Sequence, residues 1–349
     1  MTIIAVGIDL AKHVFAVHGV DEAGRAALVR PSVARDKLHE TIATLPPCLI
    51  GMEACTGAHH WARLFMQHGH SVRLIAPKFV APYRLSGKRG KNDAADAQAI
   101  CEAVQRPQMR FVPVKSEAQQ AQLMVHCARQ GFVKERTATI NRIRGLLAEF
   151  GHILAAKADT VRREAAKLLE ALPGQSNRVI GDLLSQIHHL DQRIAEYDGL
   201  IRTMAREDSR CAELQRLSGL GQITATALRA TIGNGAEFKC GRQVAAWLGL
   251  VPGQYSSGGK TRLGRITKAG DTYLRTLLVL GARAMLAAAQ RAVAEEQENP
   301  AKPASQLAHW AVALAARRGH GKAVVAIAAK NARLAWAMLR TGEDFRMPA

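Results

Sequence analysis

The sequence predicts an α/β domain at the N-terminus, a wholly helical middle stretch and a mainly α C-terminal domain, and three observations carry that prediction. Up to about residue 115, short apolar runs alternate with helix-period segments. From 116 to 206, Leu and Ile recur every three or four residues and strand signals vanish. From 207 to 349, helical segments are joined by glycine-containing turns. The predicted domains are therefore 1–115, 116–206 and 207–349.

In the first domain, residues 2–9 read as a buried strand, because Ile3, Ile4, Ala5, Val6 and Ile8 leave no polar face. Residues 14–20 and 26–33 read as its antiparallel partners, joined by the turn string Asp21-Glu22-Ala23-Gly24. Helix and strand then alternate: helix at 36–45, strand at 48–53, helix at 59–68 and strand at 71–76. A further helix begins near Asn92, whose side chain is a good N-cap, and runs through Ile100 to about Val104.

In the middle stretch, Leu146, Leu147, Phe150 and Ile153, then Leu183, Leu184, Ile187, Leu190 and Ile194, line up between charged faces, and Pro173-Gly174 breaks the run in two. Long helices in antiparallel or coiled-coil packing are expected, with a dimerisation role. The C-terminal domain opens with Leu217-Ser218-Gly219-Leu220-Gly221. Two helices joined by such a turn can aim backbone N–H groups at a phosphate, as helix-hairpin-helix modules do, which would make Gly219 and Gly221 nucleic-acid contacts. The same string serves equally as a tight helix-helix turn in a core. Further on, Ser256-Ser257-Gly258-Gly259 precedes Lys260, Arg262, Arg265, Lys268 and Arg275, the densest meeting of hydroxyls, glycines and cations in the chain.

At 349 residues and 48% hydrophobic content, the chain is long enough for two or three cored domains and has neither a disordered nor a fibrous composition. Lys and Arg outnumber Asp and Glu by 48 to 29, a net charge of +19, so the expected partner is a polyanion held through counterion release. Its six cysteines are scattered, without a Cys-x-x-Cys pair, which argues against a zinc site or a disulfide framework. With no signal-peptide pattern and no uninterrupted apolar run of bilayer length, the expectation is a cytoplasmic protein on DNA or RNA, with no membrane.

Four carboxylates carry the chemical reading. Asp9 and Glu53 end two predicted strands, and Asp93 and Asp96 stand three apart on one face of a predicted helix. Phosphodiester chemistry is helped by two divalent cations held roughly 4 Å apart, and converging carboxylates suit Mg²⁺. An RNase H-like fold provides this layout. A lone acid at a strand end is usually a solvated terminus, and Asp93 and Asp96 also suit a helix N-terminus through its dipole. All four in strand-end, strand-end, helix order make the metal site the stronger reading. By residue type, Ser-Ser-Gly-Gly is a turn. Its functional alternative is a hydroxyl among cations, able to attack phosphorus and hold a DNA end covalently. Lys88, Arg89 and Lys91, together with Lys260, Arg262, Arg265, Lys268 and Arg275, are expected to neutralise phosphates, though any one of them also fits a solvated basic face.

These strings resemble a known family. Ile8-Asp9-Leu10-Ala11-Lys12, Met52-Glu53-Ala54-Cys55-Thr56-Gly57 and Lys91-Asn92-Asp93-Ala94-Ala95-Asp96-Ala97 are similar to the three acidic motifs of DEDD transposases of the insertion sequence 110 family. Ser218-Gly219-Leu220-Gly221, Ala245-Ala246-Trp247-Leu248-Gly249-Leu250-Val251-Pro252, Ser257-Gly258-Gly259-Lys260 and Thr267-Lys268-Ala269-Gly270-Asp271 resemble its C-terminal transposase domain, with wording closest to the 1111 subgroup. The resemblance runs in order over nearly the whole chain. It implies a RuvC-like N-terminal domain whose acids, here Asp9, Glu53, Asp93 and Asp96, bind Mg²⁺. It also implies a serine nucleophile making a 5′-phosphoserine link, at Ser257 by motif, with Ser256 adjacent.

The family resemblance implies partners as well: double-stranded DNA at the element ends and the target, a noncoding bridge RNA that pairs with both, and a homo-oligomer, dimer to tetramer, with the acids of one protomer acting beside the serine of another. Delegating site choice to base pairing would fit a chain without a visible recognition helix or finger. Two rivals remain at this level. A RuvC-like structure-specific nuclease would use the same acids with water as nucleophile. A nonenzymatic nucleic-acid-binding protein would keep binding after loss of all four acids.

Overall fold

Strand β1 (Ala5–Asp9) is the axis of the N-terminal sheet. β2 (Val14–Val20) pairs antiparallel with it, Asp9 opposite Ala16, and β3 (Ala26–Ala34) pairs antiparallel with β2. After α1 (Arg35–Ala43), β4 (Leu49–Glu53) returns on the other side of β1 and runs parallel to it, Gly7 opposite Gly51. Helix α2 (Ala58–Gln67) leads to β5 (Ser71–Ile75), parallel to β4. A short helix α3 (Pro77–Val80) and helix α4 (Asp93–Val104) precede β6 (Phe111–Val112), which pairs antiparallel with β5. The sheet order is β3-β2-β1-β4-β5-β6. This is a computed structural model, and it describes residues 2–84 and 92–342.

The sheet is covered on both faces, and alternation along β1 decides what covers each. Val6 and Ile8 join Ile50 and Met52 in a core with Leu38 and Ile42 of α1 and Trp61 and Phe65 of α2. On the opposite face β1 and β4 present glycine. A Cβ on Gly7 would come within 2.1 Å of the Ala97 carbonyl oxygen, and one on Gly51 within 2.7 Å of the Val104 Cβ. Two glycines side by side in neighbouring strands thus form a floor on which α4 lies with its backbone almost against the sheet.

Residues 1–117 form one compact unit and 118–349 a second. In the second, α5 (Glu117–Ala148) and α7 (Ser176–Glu207) are long helices, with α6 (Ala158–Leu168) between them. Arg129 pairs with Asp198 at 2.6 Å and Arg136 with Asp191 at 2.8 Å, so α5 and α7 run antiparallel. The break at Pro173-Gly174 lies just before α7; a second break, after α5, had no Pro to announce it.

Helices α8 (Ser209–Leu214), α9 (Gln222–Ile232) and α10 (Gly241–Trp247) follow. A hairpin of β7 (Pro252–Gln254) and β8 (Leu263–Ile266) interrupts the helices before α11 (Thr272–Glu298), α12 (Gln306–Arg318) and α13 (His320–Thr341). Helix α11 is long and apolar enough by composition to cross a bilayer. Its Leu274, Leu278, Ala282 and Leu286 are instead core residues of this unit, packed with Ile327, Ala328 and Ala332 of α13.

Candidate functional site

The alternation that turns Gly7 and Gly51 towards α4 also decides where Asp9 and Glu53 emerge. Each acid lies two residues beyond its glycine, on the same face, and β1 and β4 are parallel, so both reach the same edge of the sheet. Helix α4 starts above that edge. Asn92 caps it, its side chain accepting from the Ala95 N–H at 2.7 Å, and this sets Asp93 and Asp96 in the first turn. Asp96 is buried and Asp93 exposed.

The four carboxylates feel one another. Burial, followed by repulsion from Asp96, Asp93 and Glu53, pushes the Asp9 carboxyl up to about 6, against a smaller opposing pull from Arg84. Arg84 is the counter-charge inside the cluster. Its guanidinium pairs with Asp96 and stands 3.8 Å from Glu53. Sequence reading did not find it, because nothing local to Arg84 relates it to either acid. Among the described residues, no three His, Cys, Asp or Glu side chains stand close enough together to hold an ion outright. The donor set still suits a hard divalent cation: carboxylate oxygens only, mutually repelling, with a positive group already drawn between two of them.

In the second unit, the β7–β8 hairpin carries the other candidate residues. Beyond Gln254 the arms stay paired: Tyr255 N–H donates to the Arg262 carbonyl at 2.9 Å, and Ser257 bridges Lys260. The two serines differ. The Ser256 hydroxyl accepts from the Gln254 side-chain amide at 3.0 Å and from the Arg262 N–H at 3.1 Å, which ties it into the hairpin. The Ser257 hydroxyl is exposed and has no hydrogen-bond partner among the described residues.

Lys260, Arg262, Arg265 and Lys268 are likewise exposed, with no acidic partner among the described residues. Lys268 has φ +53, in the left-handed region that favours glycine, and its N–H donates to the Gly249 carbonyl at 3.1 Å. Arg275 is different: it donates to the Leu248 carbonyl at 3.0 Å and the Ala269 carbonyl at 2.8 Å. It fastens the base of the hairpin through these two carbonyls.

Gly219 has φ +88, and a Cβ there would meet the Gly281 carbonyl oxygen of α11 at 2.6 Å. Asn331 of α13 donates to the Ser218 carbonyl at 2.9 Å. Close packing therefore accounts for glycine at 219, whereas Gly221 faces open space at the N-terminus of α9. Lys88, Arg89 and Lys91 lie outside the described residues.

Comparison with known proteins finds two family matches on the chain. A family profile described as a transposase of the DEDD IS110 type matches residues 6–152. Another, described as "Transposase IS116/IS110/IS902 family", matches residues 211–297 and so includes the hairpin. Among curated relatives, a protein of Pseudomonas aeruginosa described as "Probable family 20 transposase" is 44% identical over 354 residues, covering 99% of each chain. The transposase for insertion sequence element IS1111A of Coxiella burnetii is 39% identical, covering 98% of this chain and 91% of its own. The transposase for IS1328 of Yersinia enterocolitica is 37% identical, covering 97% and 98%.

Proposed function

Since the chain belongs to the IS116/IS110/IS902 family of insertion-sequence transposases, enzymes that cut and rejoin DNA, we propose that it does so by serine attack assisted by the acids Asp9, Glu53, Asp93 and Asp96. The observation that carries this reading is that Glu53, Asp93 and Asp96 all act electrostatically on Asp9, from two parallel strand ends and one helix, with Arg84 against Glu53 and Asp96. The sheet order, with an antiparallel β3-β2-β1 and parallel β4 and β5 beyond it, supports an RNase H-like, RuvC-like assignment for residues 1–115.

DEDD-type transposases use a divalent metal, and Asp9, Glu53, Asp93 and Asp96 would hold it here, as Mg²⁺. Bound there, the metal supplies charge stabilisation at the scissile phosphate. The chain's residues do the rest. Ser257 Oγ forms the new bond to phosphorus as the bond to the 3′ oxygen breaks; the serine gives up its proton and the leaving 3′ oxygen acquires one. One P–O bond replaces another, so no nucleotide triphosphate is needed, and the 3′-hydroxyl can reverse the step on a new partner. Ser257 is the better nucleophile of the pair because its hydroxyl is free, whereas the Ser256 oxygen already accepts two hydrogen bonds with the lone pairs an attack on phosphorus would need.

Lys260, Arg262, Arg265 and Lys268 would neutralise the phosphates of double-stranded DNA, with Lys88, Arg89, Lys91 and the N–H groups at Gly221 as further contacts. A bridge RNA would choose the sites, leaving the protein mainly backbone contacts. Exposed Leu146, Phe150, Ile153 and Val179, near the joined ends of α5 and α7, support a homo-oligomer built through the 116–206 helices, with 207–349 acting as the serine-bearing domain.

The test uses wild type, Ser257→Ala, Ser256→Ala and Asp9→Ala with RNA from the flanking element, Mg²⁺ and labelled element-end DNA, run on denaturing gels. A protein–DNA adduct lost in Ser257→Ala and Asp9→Ala but kept in Ser256→Ala is expected. Cleavage without an adduct, untouched by either serine change, would replace this reading with a metal-dependent nuclease using water.

A further inference from the structure

Two residues before Ser257, the hairpin exposes an aromatic ring. Tyr255 is 74% exposed and has no ring or cation partner among the described residues. Ladder pairing of 255 with 262 and 257 with 260 puts Gly253, Tyr255 and Ser257 of one arm on the same face as Gly264, Arg262 and Lys260 of the other. Gln254 and Ser256 are on the reverse face, as the hydrogen bond between their side chains requires.

The ring folds back over the two glycines. A Cβ on Gly264 would come within 3.1 Å of Tyr255 Cε2, and one on Gly253 within 3.6 Å of the same atom. The glycine backbones thus seat one side of the ring and leave the rest to solvent. No acid occurs between Glu237 and Asp271, whereas Lys260, Arg262, Arg265 and Lys268 all lie on or beside the hairpin. A solvent-facing ring in a cationic, acid-free setting is the combination used to hold nucleotides, stacking for the base and charge for the backbone.

We infer that Tyr255 is a stacking platform for the nucleotide next to the scissile phosphate, which it positions against the Ser257 hydroxyl. The platform deepens the serine reading above and rests on it for the positioning role; binding itself does not require the serine to react. Tyr255 holds the base by its π-face, so the phenol oxygen is dispensable and the aromatic ring is not. Gly253 and Gly264 are part of the device, since a side chain at 264 would lift the ring from its seat.

The test is ultraviolet crosslinking of the full chain, in a Ser257→Ala background that cannot form the adduct, to element-end duplex DNA carrying 5-iodo-deoxyuridine, with flanking RNA and Mg²⁺. Mass spectrometry is expected to place the crosslink on Tyr255. The crosslink should persist in Tyr255→Phe and fall about 10-fold in Tyr255→Ala, and also in Gly264→Val, where the tyrosine is still present. With Ser257 restored, the adduct should form about 10-fold more slowly in Tyr255→Ala and at near wild-type rate in Tyr255→Phe.

Adduct formation by Tyr255→Ala at the wild-type rate, or a crosslink that maps elsewhere on the hairpin and survives Tyr255→Ala, overturns the platform. Absence of any adduct in wild type, with the Tyr255 crosslink intact, would sink the serine nucleophile and leave the nucleotide platform standing.

Discussion

Arg84 pairs with Asp96 and stands 3.8 Å from Glu53, two carboxylates that see little solvent. The side chains of Glu53 and Asp96 are 15% and 6% exposed, and that of Arg84 is 22% exposed. Removing Arg84 takes from the buried Asp96 the guanidinium that pairs with it, and losing one partner of such a pair costs more than the pair itself contributes. Arg84→Ala should therefore lower metal-free stability by about 2 kcal/mol, a figure reduced for partial exposure. Mg²⁺ should restore more stability to the variant than to wild type, since a ligand that binds the folded state stabilises it by mass action. Thermal unfolding with and without Mg²⁺ measures both; equal Mg²⁺ responses in the two proteins would show that Arg84 and the cation do not compete for the same carboxylates. The acids were legible in the sequence because each ends or begins an element. Arg84 was not, because its role depends on a through-space approach that no spacing encodes.

At the scale of elements, the floor beneath α4 governs the site. Gly7 and Gly51 are opposite each other in the β1–β4 register, and only hydrogen at both positions lets α4 lie so close. Gly7→Ala should destabilise the first unit by about 2–3 kcal/mol, the upper part of the range of roughly 1–3 kcal/mol for forcing extra atoms into a packed interior. Urea unfolding measures it, with Gly221→Ala as the control, since a Cβ there meets nothing within 4 Å. A Gly7→Ala loss no larger than the control's would mean that the helix can shift freely, and with it Asp93 and Asp96.

Element prediction succeeded where burial writes a period into the chain. β2 is Val14–Val20, as its apolar run predicted, and α4 begins at Asp93 directly after its Asn92 cap. The Ser256–Gly259 string is the turn its residue types predicted, but the strands β7 and β8 on either side of it were missed. Every residue from 252 to 265 except Gly253 is exposed, so no apolar face marks the strands.

Over the whole molecule, +19 charges make any DNA complex salt-sensitive, and only some of those charges are free to contribute. Arg129, Arg136 and Arg162 are spent on acids between helices, and Arg275 on carbonyls. Lys260, Arg262, Arg265 and Lys268 have no such partners among the described residues. Replacing these four together by Ala should make the slope of log affinity against log salt shallower by up to about 0.9 for each phosphate they neutralise. Fluorescence anisotropy across a salt series reads the slope. An unchanged slope would remove the hairpin from the DNA interface.

By itself the sequence determined the α/β start, the mainly helical remainder, the element ends at which the four acids stand and the net positive charge, because hydrophobic period, capping chemistry and net charge are local or additive properties of a chain. The tertiary structure alone decided which cation sits among the acids, which serine keeps a free hydroxyl, why residues 7, 51 and 219 are glycine, and that Arg275 holds a turn together. Each of those depends on atoms brought together from distant parts of a unit, where a separation of a few ångströms distinguishes a charge that is spent from one that is free.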